Sequence, residues 1–522
     1  MMNFDINDFD NELAWDLLCE GNTKGVFQLE SNLGRKWAKE IKPRNMKELG
    51  ALISLIRPGT LLAKDSNGKS MTQVYADRKA GKPDSPVEYL HESLEPILKE
   101  TYGVLVYQEQ SMMIAQQLAG FDLREADALR KAIGKKKADL MEEVKKKFVI
   151  GAEKTGIVTK EIAEEIFSWI EKSSRYAFNK SHAISYAFDA YWTAYCKANS
   201  PQKFYEVCLN RAERKPFPDE ERKEVIMDAR RFGWEVVPPR LNFMHTNFTM
   251  CENSNKIFFG LRHLKHVGTK EVEKIQELIK TTDISQYTWM DCLVKIIHEL
   301  KINKRASISL ISVGAFNGPN NRMNRQKMLY EFDSWKQLSA REQGAIADNQ
   351  NSGDPAFYSR DLSDAVEHMM NTIKINSRRI TSVKDIKDSL DKPFYNLEDR
   401  ASTIAIAEEK FMSCALTCTK IDGIDIVSST SSCKDIANGV ITGKANLAVE
   451  IVNIKVITTK KGDTMAFLTV EDGTGSLDSV TVFPETFETY KDLLVEKNTI
   501  LINGEMSKRD KGSIIANIIK QI

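Results

Sequence analysis

Tyr176-Ala-Phe-Asn-Lys-Ser-His182 stands at the entrance to an apolar, aromatic run, residues 183–198, that contains Ile184, Tyr186, Phe188, Tyr191, Trp192 and Tyr195. Apolar side chains recurring at three and four positions predict a helix there. Asn179 or Ser181 then occupies the N-cap, where a side-chain oxygen accepts an otherwise open backbone N–H. The remaining amides of the first turn, flanked by Lys180, make a prepared site for an anion. His182 reads either as part of that site or as a packing residue.

About forty positions upstream lies Leu129-Arg-Lys-Ala-Ile-Gly-Lys-Lys-Lys137, inside a segment from Arg124 to Lys147 with nine basic and five acidic residues. A charge run is ordinarily a solvated helix face. Here Ile133-Gly134 is expected to break the segment, and Arg130, Lys131 and Lys135 can converge beside a glycine that lets a phosphate approach the backbone. Cations clustered in this way neutralise the charge that builds on a departing pyrophosphate.

Outward from these two stretches, residues 10 to 205 read as mainly helical. Breaks fall at Pro43, Arg57-Pro-Gly59, Gly81-Lys-Pro83, Gly103, Gly120 and Gly156, and Val104-Leu-Val-Tyr107 is β-like. Residues 206 to 335 read as smaller helices around a strand-like Ile257-Phe-Phe-Gly-Leu261. Gly344 and Asn349-Gln-Asn-Ser-Gly-Asp-Pro355 predict a loop over 340–360, and 361–440 give no clear pattern. The last eighty residues change character: Ala448 to Ile457, Thr464 to Val470, Ser479 to Phe483, Thr499 to Ile502 and Ser513 to Ile519 are short β-rich runs, with an amphipathic stretch near 484–496. Five strands with an insertion before the fourth suit a small closed barrel of the oligonucleotide-binding type better than a plain sandwich.

With 522 residues, 42% hydrophobic and 28% charged, the chain is long enough for about three domains, each burying a core. The net charge of +1 excludes a uniformly basic molecule, so any nucleic-acid surface is a local patch. The eight cysteines show no paired framework, which fits a reducing cytoplasm. Cys414-x-x-x-Cys418, with Cys433 and no neighbouring histidine, reads as ordinary buried thiols and not as a zinc site. No apolar run reaches a membrane span, and the acidic start is no signal peptide.

Taken in order and approximate spacing, five motifs resemble the fingers of the C-family replicative DNA polymerases, the bacterial polymerase III alpha subunits. They are Gly25-Val-Phe-Gln-Leu-Glu-Ser31, Leu55-Ile-Arg-Pro-Gly59, Tyr102-Gly-Val-Leu-Val-Tyr-Gln-Glu-Gln110, Leu129 to Lys137 and Phe178 to His182. The resemblance implies a multidomain α+β chain. Helical fingers would span 1–205, with 1–20 a linker from a palm, and a helix-hairpin-helix domain that grips duplex DNA would span 206–335. A linker and small helical region follow at 336–440, then an oligonucleotide-binding barrel for single strands at 441–522.

By the same resemblance Arg130, Lys131, Lys135, Asn179, Lys180, Ser181 and His182 surround an incoming deoxynucleotide triphosphate, and Lys136 and Lys137 contact DNA. Two departures stand out: the family commonly has Arg where Lys131 stands and Gly where Ala177 stands. Lys keeps the charge and loses the planar fork.

Gly260-Leu-Arg-His-Leu-Lys-His-Val-Gly268 and Thr269 are similar to the family's hairpin, which places Lys265, His266, Val267, Gly268 and Thr269 at duplex phosphates. His266 replaces the usual first hairpin glycine, and histidine tolerates positive φ better than most residues. Lys304-Arg-Ala-Ser-Ile-Ser-Leu-Ile-Ser-Val-Gly-Ala-Phe316 resembles the end of the same domain. In the barrel, Phe467 and Phe483 are candidates for stacking on bases, or for core, with Lys455, Lys460 and Lys461 along the strand. Gln326-Lys-Met-Leu-Tyr-Glu-Phe332 resembles a peptide that binds a sliding clamp, a further candidate partner, and suits an amphipathic helix better.

A nucleotidyl transferase needs paired carboxylates to hold two magnesium ions. In the resembled family these lie in a palm N-terminal to every motif above, and Asp5, Asp8 and Asp10 read as the linker after it. The expectation is therefore the C-terminal part of a split replicative DNA polymerase, inactive alone, with magnesium held by a palm-bearing partner chain. The alternative is a non-catalytic DNA-binding accessory protein that kept the fold.

Overall fold

The structure, a computed structural model, describes residues 7–135, 138–173, 176–251, 253–424, 431–459, 461–507 and 512–522, and the side chains of 133–140 lie outside that description. The chain divides into two compact units, Met1–Tyr205 and Glu206–Ile522.

The first unit is helical. Helices Gln108–Ala119, Leu123–Lys135, Ala138–Thr155 and Lys160–Ser173 close around one core that includes Leu105, Ile114, Leu118, Leu129, Phe148 and Phe167. The helix Lys180–Asn199 packs elsewhere, against Glu12–Cys19 and Met46–Leu55. Its buried stripe is small: Ala183, Ala187, Ala190 and Ala194, spaced at three and four, with Tyr191 the buried aromatic among them. Small side chains let two helices approach closely. At the tightest point a Cβ on Gly50 would stand 2.8 Å from Ile184 Cδ1. Tyr186, Phe188, Trp192 and Tyr195 flank that stripe half-buried.

The β-like Val104–Tyr107 is not a strand of a sheet. It makes one parallel bridge, Tyr107 with Phe178, in which Phe178 N–H donates to Val106 O and Gln108 N–H donates to Phe178 O, both at 2.9 Å. The helix Leu123–Lys135 also runs through Gly134, which was expected to break it. A single glycine costs a helix only about 1 kcal/mol, too little to end one.

The second unit joins a helical part to a barrel. Strands β1 (Glu235–Val237), β2 (Thr249–Met250) and β3 (Lys256–Phe258) form a small sheet in the order β1-β3-β2, with β3 where the strand-like Ile257 run lies. The predicted loop over 340–360 is corrected: Ala340–Asn351 is a helix, capped by Ser339, whose hydroxyl accepts Glu342 N–H while Glu342 accepts Ser339 N–H at 2.7 Å. This capping box is written in the sequence as Ser339-Ala-Arg-Glu342. Helices Leu362–Thr372, Ile380–Asp391 and Ala401–Met412 follow. Gln326 to Phe332 lies within the helix Arg325–Gln337, with Met328 and Phe332 buried. The eight thiols are free, and Cys418 donates to Ala401 O at 3.2 Å.

The five β-rich runs fold as β4 (Lys444–Thr458), β5 (Thr464–Asp472), β6 (Gly475–Val482), β7 (Thr499–Met506) and β8 (Ile514–Gln521), a closed barrel in the order β4-β5-β6-β8-β7. Helix Pro484–Tyr490 fills the insertion before the fourth barrel strand. Inward residues alternate with outward ones, and Leu447, Val449, Leu468, Val480, Ile502 and Ile514 meet inside.

Glu331 joins three helical segments of this unit. Its buried carboxylate accepts Trp289 Nε1–H at 2.8 Å and Leu362 N–H at 2.9 Å, with Lys327 Nζ at 3.5 Å. Burial raises its pKa to about 7. Between the ordinary carboxylate range and that value the folded chain holds the proton more firmly than the unfolded chain, so this group's contribution to stability falls as pH rises through the window and levels off above it. Glu331→Gln keeps an acceptor for both donors. It is expected to stabilise the chain at pH 8 by roughly 2 kcal/mol more than at pH 5, read from urea titrations of the whole chain.

Candidate functional site

The bridge between Tyr107 and Phe178 delivers the chain to Asn179, the N-cap of Lys180–Asn199, whose Oδ1 accepts His182 N–H at 2.8 Å. The expectation that the first-turn amides stand open is corrected by Glu109. Its carboxylate accepts Asn179 Nδ2–H at 2.8 Å and Lys180 N–H at 2.9 Å, so among the described residues Ser181 N–H is the open donor of the turn. Lys180 Nζ lies 2.5 Å from Glu100 Oε1 and 5.7 Å from the centre of the buried Tyr107 ring. Ser181 is exposed, and its carbonyl accepts Ser185 Oγ–H at 2.9 Å.

His182 packs in a chain of part-exposed rings. Its centroid lies 5.3 Å from Phe178 and 4.1 Å from Tyr186, Phe27 stands 5.1 Å beyond Tyr186, and the Arg57 guanidinium lies 4.3 Å over Phe178. Phe27 and Arg57 come from two of the quoted motifs, so three motifs meet on one surface.

Arg130 and Lys131 converge on one carboxylate: Asp127 Oδ1 is 2.7 Å from Arg130 Nη2, and Oδ2 is 2.8 Å from Lys131 Nζ. Those partners hold the Asp127 carboxyl below its ordinary value, Lys131 first and Arg130 second. Among the described residues no hydrogen bond or ion pair joins this pair to the Asn179–His182 turn. Lys135 ends its helix with its side chain outside the description, and Lys136, Lys137 and Asp5 lie outside the described residues.

Sequence reasoning missed the acidic partners, Glu100, Glu109 and Asp127. Asp127 was findable from its spacing of three and four to Arg130 and Lys131. Glu109 lies inside the quoted Tyr107-Gln-Glu-Gln110, and nothing in the sequence gives its reach of seventy residues.

In the second unit His266 takes φ +70° and Val267 is buried, with its N–H donated to Leu264 O at 3.3 Å. Val267 therefore anchors the hairpin from below. Gly268 caps the helix Thr269–Thr281, and Lys265, His266, Gly268 and Thr269 are exposed. Lys265 Nζ pairs with Asp219 at 3.1 Å.

The same pattern recurs downstream: Lys301 at φ +52°, buried Ile302, then Asn303 capping the helix Lys304–Ser312 with Lys304 and Arg305 exposed. This second hairpin starts at Lys301, ahead of the Lys304 stretch read from sequence. The two are tied, because Asn303 Nδ2 donates to Glu271 at 2.8 Å and Lys274 Nζ donates to Leu300 O at 2.7 Å.

On the barrel, Phe467 is half-buried on the outer face, between the inward Ala466 and Leu468. It is in register with exposed Lys455 on β4 and with Thr481 on β6. Lys461 lies in the turn between the first and second barrel strands, and Phe483 is 47% exposed. Lys460 lies outside the described residues.

Asp8 uses its carboxylate locally, on Asp10 N–H at 3.3 Å and Asn11 Nδ2–H at 3.4 Å. Among the described residues no group of three His, Cys, Asp or Glu is arranged to hold an ion.

Comparison with known proteins agrees with this architecture. Residues 2–156 match the bacterial DNA polymerase III alpha subunit finger domain, residues 233–328 a helix-hairpin-helix motif, and residues 445–522 an OB-fold nucleic acid binding domain. The DNA polymerase III subunit alpha of Aquifex aeolicus is 33% identical over 520 residues, 98% of this chain and 39% of the relative. That of Borreliella burgdorferi is 30% identical over 516 residues, covering 98% and 41%, and that of Thermus aquaticus 36% over 346 residues, covering 66% and 27%. The chain thus spans about two fifths of the length of the relatives that match it end to end. With its finger, hairpin and barrel segments each matched in that order, the chain is similar over nearly its whole length to bacterial DNA polymerase III alpha subunits.

Proposed function

We propose that this chain supplies the fingers, duplex grip and single-strand barrel of a DNA-directed DNA polymerase, acting in the bacterial cytoplasm or a phage-infected cell. The observation that carries the reading is the turn Asn179–His182: a capped helix start that presents the Ser181 N–H and hydroxyl beside the Lys180 ammonium, in a chain related to alpha subunits over nearly its whole length. Lys180, Ser181 and His182 would meet the triphosphate of the incoming deoxynucleotide, with Asn179 fixing the turn and Arg130, Lys131 and Lys135 balancing charge at the leaving pyrophosphate. Magnesium would be held by a palm on a partner chain.

Each hairpin tip, Lys265–Thr269 and Lys301–Arg305, offers exposed main chain and cations to duplex phosphates, contacts that position without reading sequence. Phe467 and Thr481 lie on the second and third barrel strands and Lys461 in the loop between the first and second. These are the places where barrels of this type take up oligonucleotides.

One observation favours the rival reading, a DNA-binding accessory protein without catalysis: Glu100 and Glu109 already pair with the ammonium and backbone N–H of Lys180, and Asp127 with Arg130 and Lys131. The test is made in a complex reconstituted with a palm-bearing polymerase chain. Lys180→Ala and Arg130→Ala are expected to reduce nucleotide incorporation by about a hundredfold, or roughly 3 kcal/mol, while primed-DNA affinity stays nearly constant. Equal losses in incorporation and DNA affinity would make the cluster a backbone-binding patch and favour the accessory reading.

A second measurement concerns the barrel. Phe467→Ala is expected to weaken single-stranded DNA binding by about 1 kcal/mol, in fluorescence anisotropy at fixed salt, and to leave duplex binding unchanged. Lys455→Ala is expected to reduce the salt dependence of the same binding by about one ion released. No change in either variant would remove this face from the nucleic-acid path.

A further inference from the structure

Lys180 is held at two atoms by two different carboxylates. Glu109 fixes its backbone N–H and, through Asn179 Nδ2–H, the N-cap beside it, so the main chain of the turn is set whatever the Lys180 side chain does. Among the described residues Glu100 alone pairs with the ammonium, at 2.5 Å, and that contact is open to solvent: the Lys180 side chain is 35% exposed and the Glu100 side chain 25%. The buried Tyr107 ring forms the floor under the ammonium. A single part-exposed ion pair is weak, and a lysine stem can swing without disturbing its own backbone.

We propose that Glu100 is a positioning residue that parks Lys180 while the nucleotide site is empty and competes with the triphosphate for it. On binding, the ammonium exchanges one carboxylate for a more highly charged phosphate group, while Glu109 and Asn179 keep the turn in place. Glu100 thereby sets the affinity threshold for the nucleotide. This rests on the reading of the Asn179–His182 turn as the triphosphate site.

The test is a calorimetric titration of the full chain with dATP, for the parent, Glu100→Gln, Lys180→Ala and the double variant. Glu100→Gln keeps a hydrogen-bond acceptor and removes the competing charge, so it is expected to tighten dATP binding about fivefold, an advantage that shrinks as salt is raised. Lys180→Ala is expected to weaken binding, and adding Glu100→Gln to it should give no further change, because Glu100 acts through Lys180. Weaker or unaltered dATP binding by Glu100→Gln, alongside a loss in Lys180→Ala, would overturn the parking role and leave the nucleotide site standing. No effect of Lys180→Ala would overturn the nucleotide site itself, and the parking role with it. A Glu100→Gln chain that unfolds several degrees below the parent would show the pair to be structural and also defeat the proposal.

Discussion

One buried amide side chain sets the geometry on which the candidate site of the first unit depends. Gln110 Oε1 accepts the N–H groups of Val106 and Tyr107, at 3.0 and 2.9 Å, while its Nε2 donates to Thr101 Oγ1 at 2.8 Å and Ile97 O at 3.3 Å. Two backbone donors that no sheet satisfies are paired here by one side chain, and leaving either unmet would cost about 1–3 kcal/mol. With 104–107 held extended, Phe178 has a partner for its bridge and Asn179 a fixed place at the head of its helix. Glu109, the neighbour of Gln110, is then carried to the Lys180 amide. Structural and functional duties thus fall on adjacent letters of Tyr107-Gln-Glu-Gln110.

The second unit depends on an ion pair of the opposite kind, sealed from solvent. Arg325 Nη1 lies 2.8 Å from Glu408 Oε1, and the remaining lone pairs of that carboxylate accept the N–H groups of Leu416 and Thr417 at 2.7 and 2.8 Å. A buried pair is favourable only when its spare valences are met in this way. Here they are met by the chain leaving the helix Ala401–Met412 on its way to the barrel. Lys223 to Glu471 then ties the barrel to the helix Pro218–Arg231 at 3.0 Å, and Lys420, in the turn beyond Met412, bridges Glu450 of the barrel at 2.8 Å and Glu409 of the helix Ala401–Met412 at 2.9 Å.

Legibility in the sequence followed the range of each interaction. The barrel strands were readable because a period of two is local, and the parity of Phe467 against Ala466 and Leu468 would also have placed that ring outside the core. The Asn179 cap was readable because its acceptor and donor lie three residues apart. The helix Ala340–Asn351 was misread because Gly344 and the polar residues near 350 outweighed the Ser339–Glu342 box in front of them. The second hairpin was read late because its tight turn uses Lys301 and not glycine. The pairs Glu100–Lys180 and Glu109–Asn179 span eighty and seventy residues, and no periodicity within one sequence encodes such distances.

The barrel's closure has a consequence for how it breathes. Among the described residues β6 and β8 meet in register at Val480 with Ile514 and at Thr481 with Ile515, a parallel seam of two pairs, whereas β7 and β8 share a long antiparallel ladder. Strand pairs with so few bonds exchange their amide protons soonest, since opening them sacrifices little. Transient fraying therefore begins along this seam, and Thr481 belongs both to it and to the row that carries Phe467 and Lys455. A strand laid across that row would clamp the seam, so occupancy of the outer face would register as slowed deuterium uptake inside the barrel wall.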